Sequence, residues 1–545
     1  MLSAGAQRLA RIPIAELVAL LEPCFCAAEQ VADRWVELAV KAKGISGQGS
    51  ASEEMVSGPV AVLRCLFLLR QTLSNLRDKG SVTFPGKLTH SADGRIQVPL
   101  LPVWELYDHL AFRELSSFAR MQEGVTEQNL HGDRVKRLLA PEQNSPGVAL
   151  VLGAGNVSSI PVTDALSKIF WDRKAVLLKL NPVNDYLEDC FRTAFRSVID
   201  AGFLRIITGD GRVGQEACHD PRIHEVHITG SHHTHRAIVW GSNSAEQEQN
   251  LIQNKPVLDK PITSELGNVS PWIVVPGNYS KRELSSQAMH VAGSIVNNAS
   301  FNCIATKMIV TSRSWPQRET FLQMLKQILS EIPMRQAYYP GAADRFRQFA
   351  PQSDCPSGEQ PELPWTLVEN VTPANDPLYF EEESFVCVCA ETALETSDPL
   401  EFMSRAAELC NEQMFGTLSA SVTVPAAVTR NEKVAWNRFL ADLRYGAVGI
   451  NQWAAIAFAL MTPPWGGYPG ATLADPQSGL GDVHNCYLLD RVEKSILSGP
   501  LVSFPKPIWL PHHRASVQAA KSLMRLYAQP SFWKLIPLGW HALRG

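Results

Sequence analysis

The sequence predicts an α/β protein that contains two parallel-sheet regions, and three observations lead to this fold class. From Gly147 onward, short apolar runs alternate with helical patterns, and this βαβ order is typical of a parallel sheet. The first of these runs, 148–152, is apolar throughout, as expected of a strand that is covered on both faces. A second alternating region extends from about Ala305 to Val448. A chain of 545 residues is also too long for one hydrophobic core and is expected to form several domains.

The part of the chain before these regions is expected to be mainly helical. Residues 1–80 have apolar side chains spaced three and four positions apart, which is typical of helices with one buried face. Residues 81–100 are expected to form a pair of strands, because Ala92-Asp93-Gly94 between them is a typical turn. No residue pattern in this part indicates a chemistry.

The ends of the strands in the first alternating region predict a nucleotide site. Open parallel sheets bind ligands at the carboxyl ends of their strands, and the connections between such strands are right-handed. The predicted strands are 148–152, 175–179, 204–208 and 226–229. Four residues fall at or just after those ends, and we expect them near the ligand: Asn156, Lys179, Gly209 and Ser231.

Two other stretches of this region have weaker signals. Gly209-Asp210-Gly211-Arg212-Val213-Gly214 matches the pattern G-x-G-x-x-G, but it follows the third strand of the unit instead of the first. We interpret it mainly as a turn between a strand and a helix. The polar residues 242–262 are predicted to be a surface loop.

Two residues further along are candidates for acid–base and nucleophilic chemistry. Cys303 follows a predicted helix and lies among small and amide-bearing residues, and a thiolate there could attack a carbonyl carbon. A free cysteine is more often a buried residue that fills space, so this position alone is a weak signal. Glu265 is flanked by apolar segments, which favours a partly buried carboxyl with a raised pKa.

Composition argues against several classes of protein. A net charge of −4 and a pI near 6.4 argue against a nucleic-acid binder. Eleven cysteines without a C-x-x-C pair favour reduced thiols and a cytoplasmic protein, and we expect no metal site. The longest apolar run, 447–461, is broken by Asn451 and Gln452, so we predict no transmembrane segment. Residues 1–14 lack a long apolar core followed by a cleavage site, so we predict no secretory signal. The last segment, 522–545, is apolar and basic; it could pack on its own chain, on a second subunit or on a membrane surface.

Eight short motifs follow one another in the order and near the spacing of a known family, and over residues 147–482 the sequence resembles the aldehyde dehydrogenase superfamily. The interval of 38 residues between Glu265 and Cys303 is close to that of the family. The motifs are Gly155-Asn156, Leu178-Lys179, Ile228-Thr229-Gly230-Ser231, Glu265-Leu266-Gly267, Cys303, Glu382-Glu383-Ser384-Phe385, Gly449-Ile450-Asn451 and Pro464-Trp465-Gly466-Gly467.

The resemblance implies two Rossmann-like parallel-sheet domains, one that binds the cofactor and one that is catalytic, with a small bridging or oligomerisation element. It places N-terminal helices and bridging strands in residues 1–146, the NAD(P)-binding domain in 147–265 and the catalytic domain in 266–482. Residues 483–545 would form a tail that could serve oligomerisation. Such a protein would bind a small aldehyde and NAD or NADP, and would form a homodimer or homotetramer.

The resemblance also implies roles for individual residues. Cys303 resembles the nucleophile, Glu265 the general base, and Asn156 the residue whose side-chain amide donates to the oxyanion. Among residues for the cofactor, Lys179 and Glu383 resemble those that hold ribose hydroxyls, Ser231 the pyrophosphate contact and Phe385 the aromatic residue near the nicotinamide ribose. Gly209 belongs to the same predicted cofactor site.

The sequence departs from the family pattern at several of these motifs. Asn268 and His235 stand where the family has glycine, and Ser300-Phe301 replaces a Gly-Gln pair. Leu180 follows Lys179 in place of proline, and Pro182 lies near the position of a carboxylate that often marks NAD preference. The choice between NAD and NADP is therefore open.

Three functions are compatible with these residues. The presence of both Cys303 and Glu265 favours oxidation of an aldehyde to a carboxylic acid through a thiohemiacetal and a thioester. An acylating enzyme or acyl-CoA reductase would use coenzyme A instead of water, and Glu265 argues against it. A catalytically silent binding or scaffold protein is the third alternative, based on Asn268, Ser300 and His235. Phe301, Trp453 and Trp465 suggest an apolar substrate funnel.

Overall fold

The structure is a computed structural model that describes residues 1–45, 48–112, 114–358 and 360–545. Its first part is mainly helical, as the sequence predicts. The longest helix buries one side chain every three or four residues, including Leu17, Leu21 and Trp35, and so presents a single apolar face to the core. The elements are α1 (Leu2–Leu9), α2 (Ile14–Ala42), α3 (Gln48–Met55), α4 (Ala61–Lys79), β1 (Thr89–His90), β2 (Ile96–Pro99), α5 (Glu105–Ala111), β3 (Ser116–Met121) and α6 (Arg134–Leu139).

The next part alternates strands and helices. The polar stretch that the sequence predicts to be a loop contains a helix, which Asn243 caps by accepting a hydrogen bond from the N–H of Glu246. The elements are β4 (Val148–Leu152), α7 (Ile160–Phe170), β5 (Ala175–Lys179), α8 (Glu188–Ala194), α9 (Arg196–Asp200), β6 (Leu204–Ile207), α10 (Gly211–His219), β7 (Glu225–Thr229), α11 (His232–Trp240), α12 (Ser244–Ile252) and β8 (Ile262–Glu265).

The remaining part repeats the alternation. Ser280 and Glu283 form a reciprocal capping box at the start of the helix that precedes the cysteine. The strands are β9 (Pro271–Val274), β10 (Met308–Ser312), β11 (Arg335–Gln336), β12 (Glu362–Leu363), β13 (Thr366–Val368), β14 (Val388–Leu394), β15 (Ser419–Thr423), β16 (Ala447–Ile450), β17 (Gly479–Leu480) and β18 (Val492–Ser498). The helices are α13 (Lys281–Val296), α14 (Arg318–Glu331), α15 (Ala342–Phe349), α16 (Leu378–Glu381), α17 (Pro399–Gln413), α18 (Ala426–Asn431), α19 (Lys433–Asp442), α20 (Ala455–Leu460), α21 (Ser516–Ala528) and α22 (Leu535–Ala542).

The strands form two large sheets, which confirms the predicted fold class. One sheet has the order β17-β8-β7-β4-β5-β6, and all of its strands except β17 run parallel. The other has the order β1-β2-β3-β18-β16-β15-β9-β10-β14-β13, with a parallel part from β18 to β13 and an antiparallel part from β1 to β18. Strands from both ends of the chain therefore join the second sheet.

One helical stretch, 51–79, is long and apolar enough to cross a membrane by length and composition alone. The sequence analysis overlooked it and took 447–461 as the longest apolar run. In the structure 78% of the apolar window in 51–79 is buried inside the protein, against α2 and other helices. Its apolar character is therefore used in the core.

Candidate active site

The loop that carries Cys303 has an uncommon backbone. Helix α13 ends at Val296, and three successive residues, Asn298, Ala299 and Ser300, then have positive φ angles of 52°, 53° and 68°. Non-glycine residues rarely adopt this region, and each costs about 1 kcal/mol or more. The loop therefore needs contacts that hold it in this conformation.

The side chain of Asn298 provides several of these contacts. Its Nδ2 lies 3.0 Å from the carbonyl oxygen of Asn156, 3.1 Å from that of Phe301 and 3.1 Å from Oδ1 of Asn302. Its backbone N–H donates to the carboxylate of Glu53 in α3. The cysteine loop is thus fixed to the end of β4 and to the N-terminal helices.

A buried ion pair lies next to these contacts. The ammonium of Lys43 donates to Oε1 of Glu54 at 2.7 Å, to the carbonyl of Asn156 at 2.9 Å and to Oδ1 of Asn298 at 2.9 Å. The hydroxyl of Tyr338 donates to the same Oδ1 at 2.9 Å. All five residues are buried. One cation at the end of α2 therefore stabilises both the cysteine loop and the turn after β4.

Cys303 and Glu265 are in direct contact. The Sγ atom of Cys303 donates to Oε1 of Glu265 at 3.3 Å. Burial, together with the charge of Asp164, raises the pKa of Glu265 to about 7. Burial, with the charges of Glu265 and Glu383, also raises the pKa of the Cys303 thiol well above its ordinary value. The thiol is therefore protonated at rest, with a proton acceptor already in place.

The third predicted catalytic residue, Asn156, lies beside this pair. It is buried in the turn after β4, and its Nδ2 donates to the carbonyl of Phe301 at 2.9 Å. An amide NH₂ has two hydrogens, so a second one can still be donated to a ligand. Phe301 itself is buried and packs against Tyr338 and Tyr339, which places it outside the lining of both cavities described next.

A first cavity of about 1060 Å³ lies at the carboxyl ends of β4, β5 and β7. Four of the residues predicted to bind the cofactor line it: Lys179, Ser231, Glu383 and Phe385. Gly209 is not in the described lining, to which Gly211 and Gly214 of α10 contribute instead. A Cβ at Gly209 would lie 2.7 Å from Cγ2 of Val213, and its φ is 134°, so this glycine serves the turn.

The polar groups of the first cavity suit a dinucleotide. Ser231 caps α11 and accepts a hydrogen bond from the N–H of Thr234, so the positive end of this helix faces the cavity. Lys179 is buried, and burial lowers its pKa. Oε1 of Glu383 is buried and has no hydrogen-bond partner among the described residues. Phosphate oxygens and ribose hydroxyls are the groups that such donors and acceptors bind.

Two residues that follow Glu265 in the chain, Gly267 and Asn268, lie next to Glu383. A Cβ at Gly267 would lie 2.0 Å from its Oε2, so only glycine fits there. Burial raises the pKa of Glu383 to about 7, against the opposing effect of the positive charges of Lys307 and Arg345. The Nδ2 of Asn268 donates to Oγ of Ser270 and to the carbonyl of Ser419, both at 2.9 Å. Asn268 is thus accommodated by hydrogen bonds of its own.

His232, His233 and Glu382 form a cluster at the start of α11. Their potential ligand atoms all lie within 4.8 Å of one another, which is compatible with a divalent cation. The sequence analysis expected no metal site. Burial lowers the pKa of His232 to about 4, so this imidazole is neutral at pH 7 and forms no ion pair with Glu382.

A second cavity of about 450 Å³ reaches the cysteine from another direction. Its described lining has only four residues in common with that of the first cavity: Asn156, Ile160, Glu265 and Cys303. All three predicted catalytic residues therefore lie where the two cavities meet. The predicted funnel residues Trp453 and Trp465 line the second cavity, together with Phe458 and Trp509.

The sequence analysis missed several residues near the site. Lys43, Glu53 and Glu54 come from the helical region in which no pattern indicated a chemistry. Residues 508–513 and Ser516 also line the second cavity, although they follow the last family motif. Lys43 directly follows α2 and Glu53-Glu54 lie in the last turn of the polar helix α3, where charged residues are common, so no sequence signal distinguishes them.

Comparisons with known proteins agree with the resemblance to the aldehyde dehydrogenase superfamily. A family model described as the aldehyde dehydrogenase family matches residues 118–343. No curated protein matches the sequence, whereas 378 chains of solved structures resemble the fold.

Three of these structures illustrate the likeness. The NAD-dependent aldehyde dehydrogenase from Sinorhizobium meliloti is 16% identical, with a TM-score of 0.60 over 93% of this chain and 87% of that one. Lactaldehyde dehydrogenase from Escherichia coli is 15% identical, with a TM-score of 0.60 over 90% and 88%. Glyceraldehyde-3-phosphate dehydrogenase from Methanocaldococcus jannaschii, complexed with NADP, is 14% identical, with a TM-score of 0.58 over 91% and 92%.

Proposed function

The chain belongs to the aldehyde dehydrogenase superfamily, and we propose that it oxidises an aldehyde to a carboxylic acid with NAD or NADP as the hydride acceptor. One observation carries this proposal. A thiol, a carboxyl and a side-chain amide, those of Cys303, Glu265 and Asn156, form the shared wall of two cavities. The first cavity suits a dinucleotide and the second an apolar aldehyde.

The first half of the reaction uses the contact between Cys303 and Glu265. Because the pKa of Glu265 is about 7, a large part of this carboxyl is ionised at neutral pH and can accept the thiol proton over 3.3 Å. The thiolate then adds to the aldehyde carbon and forms a thiohemiacetal. The second hydrogen of Asn156 Nδ2 and the N–H of Cys303 would donate to its oxyanion, and one such donor lowers the barrier by about 2.7–4 kcal/mol.

The second half releases the acid. A bound nicotinamide supplies the acceptor for the hydride that leaves the thiohemiacetal carbon, so that Cys303 is left as a thioester. Glu265 releases the thiol proton to solvent, then takes a proton from water, and the hydroxide attacks the thioester carbonyl, so that one proton is released per turnover. The carboxylic acid leaves, and the sulfur regains a proton. Lys179, Ser231, Glu383 and Phe385 would hold the dinucleotide in the first cavity.

The experiment is an assay of purified protein with NAD and with NADP over medium-chain and aromatic aldehydes. We expect NAD(P)H formation that falls by at least about a thousandfold in Cys303→Ser. Cys355→Ser is the matched control, because Cys355 is also half-buried but lines neither cavity in the described structure. Equal loss in both variants, or no activity in wild type, contradicts the proposal.

The same assay separates the alternatives. If coenzyme A is added and the product becomes an acyl-CoA thioester, the enzyme is acylating and Glu265 does not act as the hydrolytic base. If neither dinucleotide binds in a titration, the protein is a silent member of the family.

A further inference from the structure

The last helix exposes a row of large apolar side chains. Phe532, Trp533, Ile536, Trp540 and Leu543, which we call the apolar face, are all exposed, with Trp533 at 75% and Trp540 at 61%. From Trp533 onward their spacing is three, four and three residues, which places Ile536 and Trp540 on one side of α22, with Phe532 and Trp533 in the helical turn before it and Leu543 directly after it. No other twelve-residue stretch of the described chain exposes more than two large apolar side chains.

The opposite side of α22 packs on the protein itself. Helix α22 contacts α21, and Leu535 between the exposed positions is buried. The ammonium of Lys534 donates to the carbonyl of Arg525 at the end of α21, at 3.0 Å. Packing on its own chain was one of the three alternatives left open by the sequence, and it accounts for this side of the helix only. The apolar face is left in contact with water.

Every charged side chain in the segment that carries the apolar face is a cation. Residues 501–545 contain six Lys or Arg and no Asp or Glu, although the whole chain has a net charge of −4. Lys534 and Arg544 flank the apolar face, and the guanidinium of Arg544 lies 5.9 Å from the ring centre of Trp540. Lys521 is the cation of this segment that pairs with a carboxylate, that of Asp33 in α2.

We propose that the apolar face docks the protein on an anionic lipid surface, with α22 lying in the plane of the interface. A helix with apolar and tryptophan side chains on one side and only cations around them has the composition of interfacial helices. Anionic lipids attract each cation near the surface by about 1 kcal/mol. A second copy of the chain fits less well, because a two-fold contact would bring two purely cationic segments together.

The docked helix would lie directly beside the second cavity. A Cβ on Gly545 would be 2.6 Å from Nε2 of His513, so the end of this segment touches the loop that lines the cavity. An apolar aldehyde dissolved in the lipid would then be close to the wall that leads to Cys303. This consequence for the substrate rests on the proposed function, whereas the docking itself does not.

The test is co-flotation of the full chain with vesicles. Wild type is expected to float with phosphatidylcholine vesicles that contain about one-third phosphatidylserine, and less with pure phosphatidylcholine. Trp533→Glu/Trp540→Glu should bind at least about tenfold more weakly. Val434→Glu is the matched control, because Val434 is an apolar side chain on another helix, α19, and is 86% exposed. Lys534→Glu/Arg544→Glu should lose the preference for the anionic vesicles.

Three results would overturn the proposal. In the first, wild type does not float with the anionic vesicles. In the second, the double tryptophan variant floats as well as wild type, and thermal melting shows that both are folded. In the third, light scattering shows that wild type is an oligomer and the double tryptophan variant a monomer, and neither protein floats. A second copy of the chain then covers the apolar face. None of these readouts uses enzyme activity, so they are independent of the proposed function.

Discussion

The Nζ atom of Lys43 lies 2.9 Å from the carbonyl oxygen of Asn156, although the two residues are 113 positions apart in the chain. The same ammonium contacts Glu54 and Asn298. A helical region without catalytic residues of its own therefore supports the amide and the cysteine loop of the candidate active site.

Lys43→Met should destabilise the protein strongly. The change leaves the Glu54 carboxyl buried without its cation, and such a loss typically costs about 3–5 kcal/mol. Denaturant unfolding at neutral pH measures the effect. We also expect kcat to fall under conditions where the variant is folded, because Asn156 and Asn298 lose a shared donor.

Two further variants separate this from a general effect of losing a lysine. Lys43→Met/Glu54→Gln should recover part of the lost stability, since the neutral amide needs no cation. Lys41→Met, at an exposed position two residues away, should be close to wild type. If the double variant is no more stable than Lys43→Met, the ion pair is not the cause.

Glu265→Gln should change how stability depends on pH. Burial raises the pKa of Glu265 from 4.5 to about 7, so the folded state binds this proton more tightly than the unfolded state does. Wild type therefore loses stability as the pH rises through this window, and the variant does not. Above pH 7 the variant should be more stable by up to about 3 kcal/mol, and below pH 4 equal to wild type.

Thermal or denaturant unfolding from pH 4 to 8 measures this difference. Glu331→Gln, at an exposed carboxyl at the end of α14, should follow the wild-type curve. A constant offset between Glu265→Gln and wild type at every pH would contradict the raised pKa. In single turnover the same variant should form NAD(P)H more slowly, because the acceptor of the thiol proton is lost, and should then stop at the thioester.

Asn156→Ala should lower kcat by about a hundredfold to a thousandfold, because it removes one donor to the oxyanion. The KM for the aldehyde should change little, since the donor acts on charge that develops in the transition state. Steady-state kinetics check both values. In the control Asn411→Ala, a half-buried amide that donates to the carbonyl of Asp442 is lost, and kcat should stay at the wild-type value.

Lys179→Ala should weaken dinucleotide binding about tenfold to a hundredfold, the range expected for a hydrogen bond to a charged donor. Calorimetric titration with NAD and NADP measures it. Lys174 directly precedes the same strand, β5, at the end away from the cavity, and it donates to the carbonyl of Ser145. Equal weakening in Lys174→Ala would mean that Lys179 acts through the strand and not through the ligand.

The sequence allows the fold class and the positions of Cys303, Glu265 and Asn156 to be predicted, for a local reason. Apolar runs mark the parallel strands, and ligand-binding residues of such sheets follow the strand ends, which accounts for Asn156. Cys303 follows a helix, and it and Glu265 are identified through the order and spacing of the family motifs. Gly209 also follows a strand end, yet its backbone serves the turn. The roles of these residues, the cytoplasmic location and the homodimer or homotetramer stay predictions.

Other features depend on contacts that no linear pattern records. Lys43 meets Asn298 across 255 positions, and α12 forms in a polar stretch whose few apolar residues gave no helical periodicity. The lining of the second cavity by residues 508–513 follows from the course of the chain after β18. Tertiary packing decides each of these, and it can override local propensity.

The narrow overlap between the two cavities has a kinetic consequence. Because their described linings share only four residues around Cys303, a molecule in one cavity does not fill the exit of the other. Aldehyde and dinucleotide could then arrive in either sequence, and acid could depart while the dinucleotide stays behind. The turnover rate would be set by the slower of the two product-release steps.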